Sequence, residues 1–200
     1  MQTGNPRPDR ILVLGIGNIL WADEGFGVRA VEALHRAYQA PAHVTVMDGG
    51  TQGLYLVQHV QEADRLIVFD AVDYGVAPGT LLFVRDADVP KFTGVRKMSL
   101  HQTGFQEVLS AAELLGHAPR HMLLIGCQPF DLEGWGAPLS APVAGRIGAA
   151  VAAARDTLAA WGVTLTPRDA AADAALLGND LDHQGYERRV TVPAGVLAAG

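Results

Sequence analysis

The 200-residue sequence holds a single cysteine, Cys127. That excludes an intrachain disulfide framework and suits a reducing cytoplasm. An excess of positive charge is also missing: 15 Lys and Arg stand against 21 Asp and Glu, for a formal net charge of −6. No basic surface able to track a phosphate backbone follows from that balance, so nucleic acid is not an expected partner. The apolar run ILVLGIG at 11–17 is too short to span a bilayer, and the polar MQTGNPRPDR before it carries no signal-peptide cleavage pattern. The expectation is a cytoplasmic protein with no membrane partner. No internal repeat is visible, and no HExxH metallopeptidase motif occurs.

What is present describes a globular chain: 49% hydrophobic and 18% charged residues at a length that suits one domain. Apolar, β-branched runs at 11–17, 43–48, 65–71, 80–86 and 121–127 read as strands. Helical spacing of Val28, Val31, Leu34 and Tyr38 predicts an amphipathic helix over 26–38, with Arg29, Glu32 and Arg36 between the apolar positions. A helical stretch is expected from about Leu54 to Val60. Thr103 and Gln106 form a capping box ahead of a helix that closes at Gly116, and 139–161 reads as one long helix. Strands alternating with helices predict an α/β fold with a mostly parallel sheet. The turn before 80–86 is too short for a helical crossover, so that strand is expected to pair antiparallel with its neighbour. The domain is placed at 1–165. Residues 166–200 form a tail without sustained period, in which Val190-Thr191-Val192 is a candidate edge strand.

The stretch GIGNILWADEGFG after the first strand resembles a dinucleotide fingerprint, but Leu20 stands where the third glycine belongs. Asp23 and Glu24, just ahead of the helix, would also repel a phosphate at its N-terminus. In an open α/β sheet, ligands bind beyond the carboxyl ends of the strands. Glu24 follows the first strand, Asp48 ends the second and Asp70 ends the third, so three carboxylates are expected at one sheet edge. Asp70, embedded in LIVFDAVD, is costly there without a partner. Asp23 reads as a complement to the helix dipole and Asp73 as a turn residue. Asp48, before Gly49-Gly50, suits a turn as well as a site. Of seven histidines, His101 in SLHQTG stands out, lying directly before the capped helix. One Glu, one Asp and one His form a mixed O/N donor set for a borderline divalent metal such as nickel or zinc. Cys127 ends an apolar strand and reads as an inert core residue, and Ser99 has no acid partner at a triad spacing.

Four motifs, LVLGIGNILWADEGFGVRAVEAL, VMDGGTQG, DAVDYGVAPGTL and SLHQTGFQEVLSAAELLG, resemble the nickel-iron hydrogenase maturation endopeptidases in the family's order over about residues 10–165. The DYG and HQTG variants are most similar to the branch that serves uptake hydrogenases. The resemblance implies a twisted five-stranded sheet with helices on both faces. It also implies removal of a C-terminal peptide from a hydrogenase large-subunit precursor after nickel insertion. Metal contact is implied at Glu24, Asp70 and His101, toward nickel held by the substrate, and recognition or cleavage at Asp48. Metal-activated water with Asp48 as general base is the expected route, with Glu24, Asp70 and His101 completing the catalytic set. A monomer is the expected state. A Rossmann-like nucleotide binder and a non-cleaving maturation chaperone are the alternatives.

Overall fold

The computed structural model describes residues 7–92, 100–169 and 176, without the side chains of 91, 92 and 100–104. Strand β1 (Ile11–Ile16) leads through a 3-10 turn (Ala22–Gly25) into helix α1 (Phe26–Ala37), then the short β2 (Tyr38–Gln39) and β3 (Val44–Gly50). A second 3-10 turn (Gly53–Leu56) runs into α2 (Val57–Glu62), followed by β4 (Arg65–Ala71), β5 (Leu81–Arg85), α3 (Val89–Phe92) and α4 (Leu100–Leu114). The described elements continue with β6 (His121–Cys127), α5 (Ala141–Ala144), α6 (Ile147–Ala160) and β7 (Thr166–Pro167).

Five strands form one sheet in the order β3-β1-β4-β6-β5, parallel except for β5. All six residues of β1 are buried, because helices cover both faces. Side chains alternate between two cores. Val13, Ile67, Phe69 and Ile125 meet Phe26, Val31 and Leu34 of α1 and Ala154 and Leu158 of α6. Leu12, Leu14, Leu66, Val68 and Leu124 meet Val60 of α2 and Phe105, Val108 and Leu109 of α4.

Several elements differ from the sequence reading, each for a local reason. β5 is antiparallel as expected, but its partner is β6, in register from Leu81 opposite Cys127 to Arg85 opposite Leu123. Residues 72–80 cross the carboxyl edge over β6, fixed by the Gly79 amide donating to the Gln128 carbonyl and the Gln128 amide to that of Thr80. Helix α4 starts at Leu100, so Thr103 lies inside it rather than capping it. Its end is as expected: the Gly116 amide donates to Glu113 O and the His117 amide to Ala112 O, the Schellman pattern. The 139–161 segment breaks at Gly145-Arg146 into α5 and α6. Arg29 and Glu32 are buried rather than solvated, because α6 packs across α1. There Glu32 bridges Arg29 (3.0 Å) and Arg36 (2.7 Å). Thr166 and Pro167 pair with Gln39 and Tyr38, and Arg168 donates to the carbonyls of His35 and Tyr38. The candidate strand 190–192 lies outside the described residues.

At the amino edge, Asp64 accepts from the Arg10 amide at 2.8 Å and from Arg7 at 3.2 Å, with Arg120 at 3.9 Å. The Arg10 amide first, then the nearby guanidinium groups, hold its carboxyl below the usual range. Its contribution is therefore present above the unfolded carboxyl value of about 3.9 and is lost as pH falls through the lower folded value. Asp64→Asn is expected to cost roughly 1–2 kcal/mol at pH 7 and progressively less as pH falls below the unfolded carboxyl value, read by urea unfolding across that range.

Candidate active site

After β1 the chain turns to β3 on one side and then to β4 on the other, so the order of the sheet reverses between β1 and β4. Loops leaving two such strands diverge there, and the crevice at the carboxyl edge between them is where open α/β sheets bind ligands. Glu24 enters it from the 3-10 turn after β1, and Asp70 from the end of β4. Glycines make the first placement possible. Gly17, at φ 133°, lets the backbone reverse so that the Glu24 carbonyl lies where a side chain at 17 would stand. A Cβ on Gly27 would strike the carbonyls of Ile16 and Phe69, so this glycine lets α1 lie directly on β1 and β4. Gly17 and Gly27 thus admit backbone, not a pyrophosphate.

Asp70 is 4% exposed. Burial pushes its carboxyl well above the usual range, and the charge of Glu24 pushes further, against a smaller opposing effect of the Ala71 amide. Glu24 is itself raised by burial. The crevice therefore holds two desolvated carboxylates within electrostatic reach of each other. Asp48 stands apart from them. In register it pairs with Gly15, which pairs with Phe69, so it projects to the α1 face while Asp70 projects to the α4 face. Burial raises its carboxyl, the Gly50 amide at 2.8 Å lowers it, and the charged groups acting on it are Arg29 and Glu32. The three carboxylates share an edge but not a face. His101 lies in the first turn of α4. That helix delivers the chain to the amino end of β6, so its first turn lies toward the carboxyl edge, on the Asp70 face; the His101 side chain is outside the described residues. Among the described residues, no three His, Cys, Asp or Glu side chains cluster as a metal site.

Asp23 is not the dipole partner that its position suggests. It is 0% exposed and accepts four hydrogen bonds, from the amides of Phe130 (2.8 Å), Asp131 (2.9 Å) and Ser140 (2.7 Å) and from the Ser140 hydroxyl (2.8 Å). These bonds seat the loop after β6 against the loop after β1, where Trp21 and Trp135 meet edge to face at 4.9 Å. Ala22, between Trp21 and Asp23, is held at φ 34°, a left-handed conformation that costs an alanine roughly 1–2 kcal/mol. Nothing local in the sequence marks this clamp. Cys127 is fully buried, and burial first, then the charge of Asp23, pushes its thiol up to about 12. It should resist alkylation in the native protein and react only on unfolding, as mass spectrometry after iodoacetamide would report. Ser99 lies outside the described residues.

Six of the nine exposed large apolar residues among those described, Leu20, Leu54, Tyr55, Val76, Phe130 and Trp135, sit on the loops and the 3-10 turn that follow β1, β3, β4 and β6. Tyr55 is 86% and Phe130 70% exposed. An apolar rim around an acidic crevice suits a large partner more than a small solute.

The fold and crevice define a doubly wound α/β protein with an acidic site at its switch point. The family model described as hydrogenase maturation protease matches residues 28–157. The hydrogenase expression/formation protein HupD of Bradyrhizobium diazoefficiens is 64% identical over 183 residues, covering 90% of this chain and 95% of that one. The hydrogenase 2 maturation protease of Escherichia coli is 48% identical over 126 residues, 62% of this chain and 76% of its own. Among solved structures, the hydrogenase maturating endopeptidase HybD from E. coli superposes with a TM-score of 0.75 at 41% identity, covering 80% of this chain and 98% of that one. The chain belongs to the hydrogenase maturation protease family and is an endopeptidase. No helix among the described residues is long and apolar enough to cross a membrane.

Proposed function

We propose that this protease removes a C-terminal peptide from the large-subunit precursor of a nickel-iron hydrogenase, and that Glu24, Asp70 and His101 meet the nickel the precursor carries. The observation that carries this reading is the Glu24–Asp70 pair. Two desolvated carboxylates at one crevice repel each other and resist ionisation; a divalent cation arriving with the substrate offsets both effects. Carboxylates and an imidazole hold a borderline metal less firmly than thiolates do, so the crevice inspects the substrate's nickel without removing it. The apolar rim supports a protein substrate.

Water is the attacking group in this reading, since the Cys127 thiol is buried and protonated. Asp48 faces the other side of the sheet and its Oδ1 holds the Gly50 amide. We assign it to shaping the Gly49-Gly50 backbone that the substrate peptide passes, which is a recognition role. The test is cleavage of nickel-loaded and nickel-free precursor, read by intact mass. Loss of a C-terminal peptide from the loaded form alone, abolished by Glu24→Ala, Asp70→Ala and His101→Ala and retained in Cys127→Ala, is the expected result. Tight binding with no mass change would make the chain a maturation chaperone and overturn the reading.

A further inference from the structure

Leu20, Val76, Phe130 and Trp135 are exposed apolar side chains on three separate loops, those that follow β1, β4 and β6. Single apolar residues at a surface are ordinary. What sets these apart is the polar framework beneath them, which holds the three loops to one another.

Two buried side chains, Asp23 and Gln128, are the centres of that framework. Asp23 takes the Phe130 and Asp131 amides onto its carboxylate, and its own amide donates to the Asp131 carbonyl at 3.0 Å. The Gly136 amide donates to the Leu20 carbonyl at 2.8 Å, beside an antiparallel bridge between Trp21 and Trp135. Leu20 and Trp135 are therefore backbone neighbours. The loop after β6 is also closed on itself, since Asp131 Oδ1 accepts from the amides of Glu133 (2.8 Å) and Gly134 (2.9 Å). Gln128 joins the loop after β4 to these two. Its Oε1 accepts from the Tyr74 amide at 2.7 Å and the Val76 amide at 3.3 Å. Its Nε2 donates to Asp73 Oδ1 at 2.9 Å and to the Pro129 carbonyl at 3.3 Å. Val76 is thus tied to the chain entering Phe130. A Cβ on Gly79 would strike the Pro142 carbonyl, so the far end of the same crossing lies directly on α5.

Loops fixed in this way hold their apolar side chains in water, and a surface already ordered loses little conformational entropy when a partner covers it. Exposed aromatic side chains on such a frame are of the type that dominates binding energy. Position identifies the partner. Glu24 stands four residues after Leu20 on the clamped loop, so a protein that brings its metal to Glu24 comes against the loop that carries Leu20 and its neighbour Trp135.

We propose that Leu20, Val76, Phe130 and Trp135 form the docking platform for the nickel-loaded precursor. They take an apolar surface of the precursor beside its metal, and they supply affinity rather than chemistry. The inference rests on the substrate named under Proposed function, and the two can fail separately.

The experiment measures kcat and KM of wild type, Val76→Ser, Phe130→Ser and Leu115→Ser on nickel-loaded precursor, with urea midpoints for each. It also measures Kd for the same precursor with each substitution in a Glu24→Ala background, where binding is read without turnover. Val76 and Phe130 enter the framework only through their amides, so their side chains can be changed without cutting it. Leu115, exposed just past α4 at the opposite edge, is the control. Phe130→Ser is expected to raise KM and Kd about 10- to 30-fold and Val76→Ser to raise them less, with kcat within twofold and midpoints at the wild-type value. Leu115→Ser should change nothing. A raised KM at constant kcat marks contacts made equally in the ground and transition states. Should Phe130→Ser lower the midpoint, Val76→Ser carries the comparison. Wild-type KM and Kd in both folded variants, or a lower kcat at unchanged KM, overturns the platform. So does a self-associated wild type that Phe130→Ser makes monomeric in sedimentation velocity with KM unchanged, since the surface would then be a contact between copies of this chain. No cleavage by wild type, with Kd still raised by Phe130→Ser, overturns the cleavage proposed above and leaves the platform standing.

Discussion

Asp70→Asn is expected to abolish cleavage while making the protein harder to unfold. The carboxyl at 70 is buried at the end of an otherwise apolar strand, and Glu24 adds repulsion. Its folded value is raised, so the linkage runs opposite to that of Asp64. The favourable contribution is complete below the unfolded value of about 3.9 and is lost as pH rises through the folded value. At neutral pH the fold bears the cost either of holding that charge or of keeping the carboxyl protonated. An asparagine has nearly the same shape and no charge, and it also relieves Glu24. Stabilising substitutions at strained functional sites commonly give roughly 1–2 kcal/mol, and each kcal/mol moves the melting temperature of a chain this size by about 2–4 °C. The diagnostic is the pH dependence: the advantage over wild type should be near zero at pH 3.5 and grow toward pH 8. A variant equally destabilised at both pH values would mean that Asp70 is a structural group. Retained turnover of nickel-loaded precursor would remove it from the site.

That pattern also explains what was legible in the sequence. The central strands were visible because both faces of β1, β4 and β6 are covered, which leaves continuous apolar runs. Asp70 stood out because a carboxylate at the end of such a run contradicts its surroundings, and Glu24 because it follows β1 toward the same edge. What was hidden depends on partners far away in the chain. The pairing of β5 with β6 is set by residues around Gln128, more than 40 positions on, and no turn motif near 72–80 announces it. Arg29 and Glu32 have the spacing of a solvated helix face, and they are buried because α6 returns across α1. Asp48 and Asp70 both end strands, yet a one-residue difference in register puts them on opposite faces. Strand ends can be read locally; the face each presents needs the register.

The adjacent pair Asp23-Glu24 is the sharpest instance, and it yields the second large prediction. Two acids side by side in one loop do opposite work: Glu24 points its charge at Asp70, while Asp23 spends its charge on donors 107 to 117 positions away. Asp23→Asn is expected to loosen the loop after β6 and to slow cleavage without altering the sheet. An asparagine offers one oxygen and one NH2 group. If its oxygen keeps the Phe130 and Asp131 amides and the Ser140 hydroxyl, its NH2 faces the Ser140 amide, and two donors confront each other in a dry site. A buried unsatisfied donor costs roughly 1–3 kcal/mol. Asp23→Ala, which abandons all four donors, should cost about 4 kcal/mol or more. Ser140→Ala, which loses only a hydroxyl, should cost about 1 kcal/mol. With the clamp weakened, Ala22 is free to leave its left-handed conformation, and Glu24 two residues on shifts with it. A displacement of about 1 Å at a reacting group is enough for roughly a 100-fold loss of turnover. Limited proteolysis locates the damage: new cuts confined to 129–139, with the rest of the chain protected, are expected in Asp23→Asn. If Asp23→Asn melts and cleaves like wild type, the four bonds are not the clamp and the placement of Glu24 has another cause. If the whole sheet is digested as readily as the loop, Asp23 supports the fold at large rather than the crevice.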